Sequence, residues 1–204
     1  MTVYKPSGDT MARPRSVDDE AILDATRVVL GQEGPSGLTL AAVGRQVGLA
    51  PATLIQRFGS KRGLLLASAA RSPEMVRRAY AESEARATSP LAALYDVATS
   101  SVAHIVKREE IGNGLGFVQL DVGDPDFRVH ALAHSQAIED GSARFLHAAR
   151  EAGELVDDVD VAALARTVLV TFQGALIIWA IHGGGTLSDF VREQLDRILN
   201  PYLP

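Results

Sequence analysis

An all-α fold is what this sequence predicts, and three observations carry the prediction. Apolar residues recur at three- and four-residue spacing along most of the 204 residues. Sustained apolar–polar alternation bounded by turn residues is missing, which removes the main signal for strands. The chain is 47% hydrophobic and 22% charged, the balance of a globular protein with a buried core.

The elements follow in order. Ile22, Ala25, Thr26, Val29 and Leu30 form one stripe, which should stop at the glycine-rich stretch 31–37. Thr39 is placed to cap a second helix whose Leu40, Val43, Gly44 and Val47 share a face, and Gly48 supplies its left-handed end. Pro51 suits the first turn of a short third helix, where its missing N–H has no partner to lose. That helix should end at Phe58-Gly59, and Ser60 can cap a fourth opening with Lys61-Arg62. Past Ser72-Pro73 the spacing predicts further helices near 74–87, 90–108, 126–153 and 160–182. A final helix carries Leu187, Phe190, Val191, Leu195, Ile198, Leu199 and Tyr202. Gly112-Asn113-Gly114-Leu115-Gly116 has no strand before it and no Gly-Lys-Ser/Thr after it. It therefore reads as a flexible connection rather than a phosphate loop.

Residue inventory narrows the function. The chain has no cysteine, which excludes disulfides, thiolate nucleophiles and cysteine-bound zinc and fits a reducing cytoplasm. Residues 1–20 are polar and lack the apolar run of an export signal. The apolar stretch 161–181 carries Arg166, Thr167, Thr171 and Gln173, so it reads as a buried helix rather than a membrane span. A net charge of −5 argues against nucleic acid only if the charges are evenly spread. They are not, because residues 34–73 hold Arg45, Arg57, Lys61, Arg62 and Arg71 and no Asp or Glu. A basic head on an acidic body is the electrostatic pattern expected of a DNA-binding protein.

Two short helices joined by a glycine turn, here over residues 39–58, make the unit whose second helix enters a major groove. Around the helix beginning at Pro51, with Ala52 as origin, Leu54, Phe58 and Ile55 fall at about 200°, 240° and 300°. Ala52, Gln56, Thr53 and Arg57 fall at about 0°, 40°, 100° and 140°. The first group is expected to dock on the preceding helices. The second offers a small residue, an amide, a hydroxyl and a guanidinium to base edges and phosphates.

The run Leu38-Thr39-Leu40-Ala41-Ala42-Val43, then Gly48-Leu49-Ala50-Pro51-Ala52-Thr53-Leu54, then Arg57-Phe58-Gly59-Ser60-Lys61-Arg62-Gly63-Leu64-Leu65 closely resembles the DNA-binding domain of the tetracycline-repressor (TetR/AcrR) family. The resemblance covers about a third of the chain; beyond it only the number and length of helices agree. It implies a homodimeric repressor on a pseudo-palindromic double-stranded operator, released by a small-molecule effector. It also implies that Thr39 and Lys61 grip phosphates and that Pro51, Ala52, Thr53, Gln56 and Arg57 face the DNA. Where the family often has tyrosine, Ile55 stands here and cannot hydrogen-bond a phosphate. On this reading residues 1–16 form an arm, 17–62 the DNA-binding domain and 63–204 the ligand-binding and dimerisation domain. Arg13 and Arg15 in the arm are either an ordinary solvated tail or a backbone or minor-groove contact.

Met75, His104, Phe117, Leu120, His134, Phe172, Gln173 and Trp179 are the mixture expected to line a mostly apolar pocket with a few polar anchors. The helix at 160–182 is apolar nearly all round and the final helix adds a second stripe. Ile178 and Leu195 are therefore expected in a four-helix dimer interface. His130 and His134 have the i, i+4 spacing of zinc proteases, but Ala131 stands where the glutamate would be, so no metal is expected. No cofactor and no catalytic constellation are implied. The competing class is a helical-bundle enzyme or small-molecule-binding protein with a merely structural helix-turn-helix, which leaves the acid-free basic segment unexplained.

Overall fold

The computed structural model describes residues 17–204, among which there is no strand. The helices are α1 (Asp19–Gly37), α2 (Leu40–Val47), α3 (Pro51–Phe58), α4 (Lys61–Arg86), α5 (Pro90–Val102), α6 (Arg108–Gly123), α7 (Pro125–Glu151), α8 (Val161–His182) and α9 (Leu187–Leu199). A short 3₁₀ turn, Asn200–Tyr202, follows them.

The helix-turn-helix forms for local reasons that the sequence states openly. Thr39 Oγ1 accepts from the Ala42 amide at 3.1 Å and caps α2. Gly48 ends α2 with φ 69°, a conformation that L side chains avoid. The Leu49 amide then donates to the Gly44 carbonyl at 2.9 Å, and a Cβ on Gly44 would collide with the Leu49 carbonyl oxygen. Glycine at 44 thus lets the turn fold back tightly. Ile22, Leu38, Val43, Leu54 and Leu64 are fully buried in the core beneath it. Each contributes about 1.5–3 kcal/mol of burial.

That core is not closed by the first four helices alone. Phe127 of α7 is buried within it, and Phe117 and Leu120 of α6 pack against it. A second core, in the body, gathers Leu94, Leu146, Ala165, Trp179, Leu195 and Leu199 from α5, α7, α8 and α9.

Four expectations from the sequence need correction. First, α1 runs past Gly31 and breaks only at Gly34, where φ is 68°. Second, the glycine-rich stretch is no flexible connection but part of α6. Its helix is held from outside: Asn113 Nδ2 donates to the Gly31 and Gln32 carbonyls at 2.9 and 2.7 Å, near the end of α1. Gly116 lies against Pro35, where a Cβ would meet the proline ring at 2.9 Å. Third, the segment expected at 90–108 ends at Val102, and Arg108 opens α6 instead. Fourth, α4 does not stop at Pro73 but passes through it. The lost backbone hydrogen bond is offset by contacts to α7 on both sides of the proline. Ser72 Oγ lies 2.7 Å from His134 Nδ1, and Tyr80 Oη bonds the Ile138 carbonyl at 3.1 Å and Ser142 Oγ at 2.7 Å. A single helix therefore contributes to both cores, through Leu64 and Leu65 to the first and Tyr80 to the second.

Candidate nucleic-acid interface

α3 presents Pro51, Ala52, Ile55 and Gln56 to solvent, while Leu54 is buried and Thr53 and Phe58 are half-buried. The helix is rolled relative to the sequence expectation. Ile55, expected to dock inward, is 49% exposed. Thr53 leans toward the protein instead. α3 lies on α2 and α4, with Leu54 its fully buried residue. The open face therefore reads Ala52, Ile55 and Gln56: a methyl, a branched hydrocarbon and an amide.

The basic residues are also redistributed. Arg57 Nη1 donates to the Val17 carbonyl at 2.6 Å and to Asp19 Oδ1 at 3.2 Å, so its guanidinium is turned to the start of α1. Arg62 pairs with Asp124 and Asp126 at 2.7 and 2.8 Å and lies over the Phe127 ring. These carboxylates raise its pKa further and, reciprocally, hold that of Asp124 below the usual carboxylate range. Arg71 pairs with Asp24 at 2.8 Å. A segment without acids is thus not a surface without acids, because α1 and the start of α7 deliver them in space. Arg45 on α2 and Lys61 at the start of α4 make no ion pair among the described residues. Lys61 Nζ donates to the Ser36 carbonyl at 3.2 Å, and Arg45 is exposed. Arg45, the one cation of α2, belongs to the acid-free basic segment but is not among the residues the sequence picks out for DNA contact. Thr39 is exposed as well; its oxygen caps α2 while its hydroxyl hydrogen remains able to donate. Arg13 and Arg15 lie outside the described residues.

Behind the reading head is a cavity of about 620 Å³ where α1, α4, α6, α7 and the end of α5 converge. It collects five of the residues expected there: Met75, His104, Phe117, His134 and Gln173. Three others lie elsewhere. Leu120 packs against the N-terminal core, Phe172 against the body core, and Trp179 is buried inside the latter. The lining surface is mostly apolar, with polar groups from Ser68, Ser72, Ser100 and Ser135, and from Asp24, Arg27 and Arg71 where α1 faces α4. Burial holds the His134 imidazole below its ordinary pKa, against a smaller opposing effect of its bond to Ser72, and pushes the Asp121 carboxyl up.

The two residues expected in a dimer interface part company. Ile178 is 42% exposed on α8, in a stripe with Val170, Ile177 and Ile181. Leu195 is 0% exposed, because the apolar stripe of α9 is consumed by the body core of its own chain. α8 is long and apolar enough to cross a membrane by composition, but its inner face, including Leu164, Val168 and Trp179, is packed in that core.

Fold and site together define an all-helical DNA-binding regulator with an N-terminal helix-turn-helix. Residues 22–68 match the family described as bacterial regulatory proteins, tetR family. That match covers the helix-turn-helix and its flanking helices, less than a quarter of the chain. No curated protein matches the sequence. Among solved structures, the fold is similar to that of a TetR transcription regulator from Haloarcula marismortui, at a TM-score of 0.74 and 17% identity over 91% of this chain and 98% of that one. It is also similar to SmeT, described as the repressor of a Stenotrophomonas maltophilia multidrug efflux pump. There the TM-score is 0.67 and the identity 20%, over 93% and 92% of the two chains. PfmR from Thermus thermophilus gives a TM-score of 0.64 at 20% identity, over 88% and 97%.

Proposed function

We propose that the protein is a cytoplasmic, homodimeric repressor that sets α3 of each subunit into successive major grooves of a pseudo-palindromic operator and releases it when a small molecule fills the cavity. The observation that carries this reading is the exposed Ala52–Ile55–Gln56 face, poised on a helix-turn-helix whose inner side is fully packed. Gln56 can pair with an adenine edge and Ile55 can cover a thymine methyl. Arg45, Lys61 and Thr39 hold phosphates, while Arg57 fixes the angle between α3 and α1 rather than reading bases. Residues 17–62 are the reading head and 63–204 the body, with α4 crossing between them.

The dimer is supported by the α8 stripe, which leaves branched side chains in water that an isologous partner would cover. Effector control is supported by the position of the cavity, since one molecule there would touch α1 of the head and α6 and α7 of the body together. Its effect is limited to the difference in its affinity for the DNA-bound and free arrangements. A gel shift on the DNA upstream of the protein's own coding sequence tests the reading. A retarded band that is lost with the Gln56→Ala and Lys61→Ala double variant is expected, and no retardation at low salt overturns it.

A further inference from the structure

Within the cavity two charged groups stand unpaired among the described residues, Arg27 on α1 and Asp121 on α6. Asp121 makes no ion pair or hydrogen bond among the described residues, lies half-buried and lines the cavity wall. The other carboxylate of the lining, Asp24, is taken by Arg71 at 2.8 Å, and Arg71 also donates to the Glu20 carbonyl at 3.3 Å. Arg27 also lines the cavity but is exposed, whereas Asp121 is half-buried. Among the described residues no cation moderates Asp121, whose pKa is raised by desolvation. A carboxylate with partial loss of water and no counter-charge binds a cation that replaces both.

The surroundings say what kind of cation. Phe117 precedes Asp121 by one helical turn on the same wall, so an aromatic face and a carboxylate line one side of the space. Met75, Val76, Ala79 and Ala131 add apolar surface, and His134, held in its neutral range at neutral pH, adds hydrogen bonding without positive charge. We propose that the cavity takes an aromatic molecule bearing a protonated amine, with the ammonium held between the Asp121 carboxylate and the Phe117 ring. This rests on the reading of the cavity as the effector site but concerns which chemistry it accepts.

Three matched probes test it: benzhydrylamine, benzhydrol and diphenylacetate, which keep two phenyl rings and differ in charge. Binding to the full chain is measured by titration calorimetry up to millimolar probe, for the wild type and for Asp121→Asn. The expected result is that the amine binds at least about tenfold more tightly than the alcohol or the acid, and that Asp121→Asn abolishes this preference while melting cooperatively. The inference is overturned if the amine does not bind, if the alcohol or acid binds as well, or if the variant keeps the preference. Release of labelled upstream DNA is followed separately. Asp121-dependent amine binding that leaves the DNA complex intact upholds the inference and refutes the effector reading. Absence of amine binding in a protein that still binds its DNA refutes the inference alone.

Discussion

Arg57 of the recognition helix reaches Asp19 at the opening of α1, Nη1 to Oδ1 3.2 Å, and the Val17 carbonyl at 2.6 Å. The last turn of α3 is thereby tied to the element that anchors the head. An exposed pair of this kind contributes at most about 1 kcal/mol. Arg57→Ala should therefore lower the melting temperature only slightly and weaken all DNA sequences alike. A binding-site selection that returns a changed consensus for Arg57→Ala would show the guanidinium reading bases.

Leu54 is fully buried between the helices of the head. Truncation to alanine should cost about 2–5 kcal/mol of stability through the lost burial and the cavity left behind. Thermal or urea unfolding measures it, and the loss should precede any change in sequence choice.

Ile55 replaces a hydrogen-bonding side chain with hydrocarbon on the open face of α3. Its natural counterpart is a thymine methyl, worth about 0.8 kcal/mol when covered. Replacing operator thymines by deoxyuridine, which lacks that methyl, should weaken the wild type at one position per half-site and leave Ile55→Ala indifferent. Fluorescence anisotropy compares the four combinations.

On α8, Ile178→Glu should yield a folded monomer, since the side chain is exposed in the single chain. Leu195→Glu should instead unfold the body, because that position is buried in its own subunit's core. Sedimentation together with circular dichroism separates the two outcomes. A Leu195→Glu protein that is folded and monomeric would contradict the assignment of α9.

His134, half-buried against Ser72, is held by desolvation below its ordinary pKa of 6.5. Between that value and the lower folded value the unfolded chain binds more protons than the native one, so stability should fall as pH drops through this window. His134→Gln should flatten that loss. Melting temperatures measured from about pH 7.5 down to about pH 5 check it, and equal slopes for the two proteins would refute it.

Local chemistry made the head legible. Thr39 and Ser60 announce a helix start through a side-chain oxygen, Gly48 a helix end and Pro51 a helix start through their backbone, and the structure uses all four where the sequence puts them. What escaped was tertiary. α6 carries glycines that no isolated helix would favour and survives through Asn113 and Pro35, neither of which is a helix signal. Asp19, Asp24, Asp124 and Asp126 enter the basic head from outside its segment, which a charge count along the chain cannot show. Leu195 illustrates the limit of an apolar stripe: it marks burial but not whether the partner is the same chain or another.

The most direct test of the central claim, that α3 reads bases while the start of α4 holds the backbone, is a binding-site selection on wild type, Gln56→Ala and Lys61→Ala at two salt concentrations. Gln56→Ala should lose about 1–3 kcal/mol on the preferred site and relax one position per half-site. Lys61→Ala should weaken every sequence about equally and flatten the salt dependence by about one counterion per subunit. A changed consensus for Lys61→Ala, together with unchanged sequence and affinity for Gln56→Ala, would contradict the docking of α3 in the major groove.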